Sequence, residues 1–278
     1  MRFFQNAILR DHLSLLLTSP WWTSLHLWLG FGAGAAVSAT ILMTPLSPTT
    51  AASSSCGEPP SVTLDVGHTL NRPGAISARG KTEYEFNRTL ALELAPALRV
   101  IGFEVRILNE EGREISLAER SSRLGAIGQG VILSLHHDSV QPRYMERSIV
   151  GGKAMGYSRH AEGFSLFVSG RSAAFEASKE LAHSIGSELR KADFAPSMHH
   201  AEAIKGEWRP IMDAPRGIFR FDGLSVLKSA RVPAVLFEAG VIVNPEEERD
   251  IESPVWQERL VRAVARGITA YCRLSLID

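Results

Sequence analysis

The sequence predicts an α/β domain, a mostly parallel twisted sheet flanked by helices, preceded by an apolar leader. Three observations carry that expectation. Short apolar runs alternate with longer amphipathic stretches, the order of βα units rather than of an all-helical or all-strand chain. Two runs, 131–135 (VILSL) and 233–237 (PAVLF), are continuously apolar, as in parallel strands covered on both faces. Charge is also unevenly placed: no Asp, Glu, Lys or Arg occurs from residue 12 to 57, although the 278 residues hold 30 basic and 30 acidic side chains. A chain that is 45% hydrophobic and 22% charged is globular, not disordered or collagen-like. Its zero net charge excludes the general basic field of a nucleic-acid protein.

Residues 1–44 form the leader. The apolar stretch 27–43 comes after Trp21 and Trp22, with Arg2 and Arg10 upstream, so the positive-inside bias exports the chain beyond residue 44. Its length sits at the short end of a membrane span. A cleaved signal peptide and an uncleaved signal anchor both remain open. Residues 45–60, rich in Pro, Ser, Thr and Ala, read as a flexible linker to a domain at 61–275.

Within that domain, Ser61–Val66 is a strand ending in Gly67-His68. Residues 82–101 are the clearest helix. Thr82 and Glu85 fit a capping box, and Phe86, Leu90, Leu94, Leu98 and Ile101 form its inward stripe. Further strands lie at 103–108, 131–135, 164–168 and 233–237, and helices at 116–125 and 172–190. The last helix starts at Ser253-Pro254 and turns Trp256, Leu260, Val264 and Ile268 inward. Residues 193–220 fit neither period and read as an insertion or lid.

Chemistry-bearing residues fall at the ends of these elements. His68 comes just after the first strand, His136 ends the third, and Glu238 ends the 233–237 strand, where sites gather in open α/β sheets. Glu83 opens the long helix on the same face as Asn87, Leu90 and Leu94. A carboxylate on a buried stripe is costly unless paired or bound to a metal, although from spacing alone it equally serves the helix dipole. His68, Glu83 and His136 together make a His₂Glu set, which suits one catalytic Zn²⁺ with a fourth position open. Glu238 would then be the general base.

These residues resemble the zinc-dependent N-acetylmuramoyl-L-alanine amidases of bacterial cell walls. Asp65-Val66-Gly67-His68 is similar to that family's Asp-Pro-Gly-His, with Val66 in place of proline. Glu83 with Asn87, Ser134-Leu135-His136, Glu238-Ala239-Gly240 and Asn244-Pro245-Glu246-Glu247 match its further motifs in order. Leu117-Ala118-Glu119-Arg120 matches its Leu-x-x-Arg segment. The resemblance implies hydrolysis of the amide between muramic acid and the first alanine of the stem peptide. It implies zinc on His68, Glu83 and His136, with Glu238 as the catalytic carboxylate. It implies peptidoglycan as substrate and the periplasm or cell envelope as location, with the stretch 27–43 as an inner-membrane anchor if it is kept. It also allows an activator protein acting on the lid.

Two other readings stay open at this point: a catalytically silent wall-binding module on the same fold, and a zinc carboxypeptidase. The second usually shows His-x-x-Glu, and here Asn71 stands three residues after His68. His199, His200 and Glu202 form a polar cluster for which a second metal, substrate contact and a solvated loop are all open. His137 is expected to point away from His136 and to reach substrate only through its loop. Export would allow Cys56 and Cys272, near the domain's two ends, to pair.

Overall fold

The computed structural model describes residues 56–274. The expected leader and its anchor at 27–43 lie outside the described residues. Among those described, no helix is long and apolar enough to cross a membrane.

The chain runs β1 (Ser61–Val66), α1 (Glu83–Ile101), β2 (Glu104–Leu108), α2 (Leu117–Gly125), β3 (Val131–Asp138), β4 (Glu146–Val150), β5 (Lys153–Tyr157), β6 (Ser165–Val168), α3 (Phe175–Lys191), β7 (Ile211–Asp213), β8 (Ile218–Arg220), α4 (Ser225–Ser229), β9 (Ala234–Val241), α5 (Pro245–Ile251) and α6 (Pro254–Leu274). Seven strands form one sheet in the order β2-β1-β3-β9-β6-β8-β7, and β4 with β5 forms a separate hairpin. The pairs β1–β2, β1–β3, β3–β9 and β6–β8 are parallel, while β6–β9 and β7–β8 are antiparallel. This is the mixed, mostly parallel sheet expected of alternating strands and helices.

Alternate residues of the central strands feed two cores. Val62, Leu64, Leu133, Val235 and Phe237 meet the apolar faces of α1, α3 and α6, among them Leu94, Leu181 and Val264. On the other face Ile132, Phe167, Phe219 and Leu236 pack with Leu124 of α2 and Leu227 of α4. A sheet covered on both sides explains why β3 and β9 read as unbroken apolar runs.

The α1 stripe is buried at Phe86, Leu90, Leu94 and Leu98, together with Ala91 and Ala95. Ile101, expected inward, is 44% exposed, because Gly102 in the left-handed conformation turns the chain away after Leu98. Residues 56–60, placed in the linker by composition, are turns attached to the domain. Cys56 is buried and disulfide-bonded to Cys272, and its carbonyl accepts from Ser61 N. The segment 193–220 divides. Its second half supplies β7 and β8 at the sheet edge, strands of three residues that are too short to show a period. Its first half carries a single 3-10 turn, His199–Ala201.

Candidate functional site

The site starts from two glycines. Gly67 follows β1 without a side chain, and a Cβ there would lie 2.5 Å from the His136 ring. A Cβ on Gly74, where φ is +79°, would lie 2.3 Å from Glu83 Oε2 and 2.8 Å from His68 Cδ2. Only glycine lets the backbone close on this cluster. Between them, His68 itself adopts φ 67°, a left-handed conformation that costs a non-glycine residue about 1–3 kcal/mol. Its carbonyl is held at 2.6 Å by both Asn109 Nδ2 and Arg120 Nη2, and Arg120 Nη1 also donates to Val66 O at 2.8 Å. Those bonds hold the turn that aims the His68 ring.

The capping box expected at α1 is present: Thr82 Oγ1 accepts from Glu85 N, and Glu85 Oε2 accepts from Thr82 N at 2.8 Å. It sets the first turn so that Glu83 enters the interior, where it is 5% exposed. Glu83 Oε1 lies 3.0 Å from His68 Nε2 and 2.9 Å from His136 Nδ1. Its other oxygen accepts from Ala75 N at 3.0 Å. The two imidazoles meet edge to face, with centroids 5.0 Å apart. One donor atom from each of His68, Glu83 and His136 lies within 4.8 Å of the others, a group able to hold a metal ion. Burial works to raise the Glu83 carboxyl, but hydrogen bonds and charge from His136 and His68 hold it well below the usual range.

Glu238 stands directly opposite His136, its Cα partner across β3 and β9. Its Oε2 is buried and accepts no hydrogen bond among the described residues. Burial raises its carboxyl well above the ordinary range, and the charges of Asp138 and Glu83 add to that. A buried carboxylate with a bare oxygen is rare and calls for a bound ion, a proton or a substrate group. Ser165, its Cα partner on β6, also carries a buried hydroxyl without a partner.

All four residues singled out from the sequence therefore come together. Some of their neighbours turn out to be supports. Asn87 joins its Oδ1 to His137 Nδ1 at 2.8 Å and donates to Gly67 O. Burial pushes the His137 imidazole down to about 3, and its ring packs on Phe86. His137, only 3% exposed, thus braces β3 against α1 on the side of the strand that α1 covers. Ser134 Oγ donates to Asp65 Oδ2, which ties β3 to β1 beneath the site.

Sequence reasoning missed Asp138. A register shift after His136 turns it toward the segment 193–220, where His200 Nε2 lies 2.6 Å and His199 Nε2 3.4 Å from its Oδ2. The residue type was visible, but a strand bulge has no periodic signature. Glu202 stands apart from that trio, accepting from Tyr144 at 2.7 Å and lying 2.5 Å from His160 Nε2. A groove of about 710 Å³ runs from Ala75 and Ile76 to Met145, just before the hairpin, and Met155 within it, beginning at the residue whose N–H binds Glu83.

Residues 62–270 match the family model of N-acetylmuramoyl-L-alanine amidases. The chain belongs to that family. The AmiA N-acetylmuramoyl-L-alanine amidase of Escherichia coli is 26% identical over 219 residues, covering 76% of this chain and 75% of its own. AmiC of Neisseria meningitidis is 22% identical over 227 residues, covering 80% and 55%. Among solved structures, the Ami1 amidase of Mycobacterium smegmatis superposes with a TM-score of 0.60 at 19% identity, covering 77% of this chain and 97% of that one. The CwlD amidase of Clostridioides difficile, solved in complex with the GerS lipoprotein, has a TM-score of 0.57 at 19% identity, covering 77% and 98%. At such identities the structures speak for the fold alone. The family assignment makes this N-acetylmuramoyl-L-alanine amidase an enzyme of peptidoglycan.

Proposed function

We propose that this amidase is zinc-dependent, that His68, Glu83 and His136 hold the one catalytic ion, and that Glu238 is its catalytic carboxylate. The observation that carries the reading is the convergence of three donor atoms beside a buried carboxylate with an unpartnered oxygen on the next strand. The donor set of two imidazoles and one carboxylate suits zinc with an open position. Gly67 and Gly74 leave the cluster the room that a Cβ would fill. Zinc bound there supplies a Lewis acid and brings the pKa of water toward ~7.

The rest is done by the chain. Arg120 and Asn109 keep His68 in its strained turn, and Ala75 N fixes the outer oxygen of Glu83. Glu238 takes the proton of the attacking water on its carboxylate and returns it to the departing alanine nitrogen. Cleavage of the lactyl–alanine amide then releases the stem peptide from muramic acid. The groove beside Ala75 is the place proposed for the chain on one side of the scissile bond.

The Cys56–Cys272 disulfide favours an oxidising compartment. Together with the apolar leader it supports export to the periplasm or cell envelope, through a cleaved signal or with residues 27–43 as an inner-membrane anchor. An activating partner belongs to the same reading: CwlD is solved with a lipoprotein, and here the first half of the 193–220 segment closes on Asp138 next to the site.

The test is mass spectrometry of purified sacculi incubated with the full-length protein and zinc, with and without chelator. Free stem peptides beginning with alanine, abolished by the chelator and restored by zinc, are expected. Release that persists in chelator would sink zinc dependence.

A further inference from the structure

A second cluster in the fold repeats the donor pattern of the first. In both, two imidazole nitrogens converge on a single carboxylate oxygen: His68 Nε2 and His136 Nδ1 on Glu83 Oε1, and His199 Nε2 and His200 Nε2 on Asp138 Oδ2. In both, a main-chain N–H holds the carboxylate's other oxygen, Ala75 N on Glu83 Oε2 at 3.0 Å and Ser139 N on Asp138 Oδ1 at 2.8 Å. The Asp138, His199 and His200 donor atoms also lie within 4.8 Å of one another. Their side chains are between 10% and 13% exposed, so solvent does little to screen them.

The surroundings of the trio suit metal ligands. Ser197 Oγ lies 2.8 Å from His199 Nδ1, and a ligand histidine normally has its other ring nitrogen hydrogen-bonded in this way, which leaves Nε2 for the metal. The two rings lie side by side with centroids 3.9 Å apart, and both Nε2 atoms turn to the same carboxylate oxygen. The His200 ring is fixed edge-on against Phe167 and Phe219, at 4.9 and 5.8 Å between centroids. The trio opens on one side into a pocket of about 350 Å³ walled by Tyr144 and Glu202, which leaves room for a further ligand.

We propose that Asp138, His199 and His200 form a second divalent-cation site, with the N₂O donor set of a first-row metal such as zinc. It is a group separate from the His68–Glu83–His136 set. A cation there would clamp the 193–220 segment to the end of β3. The second site does not need the first to be catalytic, and metal stoichiometry separates the two.

The full-length protein is stripped with chelator, desalted, and titrated with Zn²⁺ by calorimetry, with metal content checked by elemental analysis. The wild type is expected to bind two equivalents. A His199→Ala/His200→Ala variant and, separately, the near-isosteric Asp138→Asn should each bind one. A His68→Ala/His136→Ala variant should also keep one. Circular dichroism melting establishes which variants fold, and Asp138→Asn decides if the double histidine variant does not. A wild type that binds one equivalent, lost with His68 and His136, overturns the second site and leaves the first. Two equivalents that survive both the His199/His200 and the Asp138 changes overturn the assignment to these residues. No binding by the wild type overturns both sites.

Discussion

At the level of single residues, the amidase site sets charged groups where the fold would otherwise exclude them. Glu238 is the plainest case, since its Oε2 is buried with nothing to bond. As the proposed proton carrier it should be dispensable for metal but not for turnover. Glu238→Ala is expected to retain the zinc stoichiometry of the wild type and to lose about 10²–10⁴-fold in hydrolysis, the usual worth of a positioned general base. Equal activity in the two proteins would remove Glu238 from the mechanism. The same burial gives a pH signature. A base works only when ionised, and burial first, then Asp138 and Glu83, lift this carboxyl above the ordinary range. The rate should therefore climb with pH along an acid limb displaced upward from that of an exposed glutamate, and kcat/KM profiles would show it. Gly74→Ala is a steric counterpart. Its Cβ would press on Glu83 Oε2 and His68, so zinc affinity should fall, while the two large cores on the faces of the sheet, made by other residues, keep the protein folded. Chelator competition and thermal melting read the two separately. The four residues proposed to ligate and catalyse stood out in the sequence because each sits at or just beyond an element's end, and the family resemblance supplied the roles proposed for them. Asp138 did not, because a bulge re-aims it, and neither did Arg120 and Asn109 as supports, because main-chain carbonyls leave no trace in sequence pattern.

At the level of elements, α1 shows how local rules deliver a functional group. Its capping box was readable from Thr82 and Glu85, and its stripe from the spacing of the leucines. The consequence is that Glu83, the first helical residue, points inward with Asn87 one turn below. Thr82→Ala should cost about 1 kcal/mol of stability, as losses of N-caps do. It should also loosen zinc binding, since fraying of the first turn moves Glu83. If thermal melting shifts but zinc affinity does not, the cap stabilises the helix without placing the ligand. The hairpin β4–β5 shows the opposite situation. Its strands are largely exposed, with Ile149 72% accessible, so no buried face imposed an alternation to read. β7 and β8 were hidden by brevity, and their place on the sheet edge depends on pairing with β6, a contact distant in sequence.

Over the whole molecule, sheet order brings sequence-distant residues to one place: β1, β3 and β9 are neighbours, so His68, His136 and Glu238 meet although 170 positions separate the first from the last. The alternation of runs disclosed the class of sheet but not this order, which is set by how α1, α3 and α6 pack on one face and α2 and α4 on the other. The Cys56–Cys272 disulfide closes the domain at its two ends, spanning 216 positions of sequence. Cross-linking so long a loop restricts the unfolded chain strongly, by about 5 kcal/mol on the chain-entropy model. The native domain loses little else on reduction, because Cys272 lies on α6, whose Leu260, Val264 and Ile268 remain anchored in the core. Denaturant unfolding with and without reductant should thus show a lower midpoint in reductant, with the same native near-ultraviolet spectrum before the transition. A Cys272→Ser variant should match the reduced wild type and be indifferent to reductant. Coincident curves for the oxidised and reduced wild type would mean that the covalent closure adds nothing to stability, and that the domain gains nothing from an oxidising compartment.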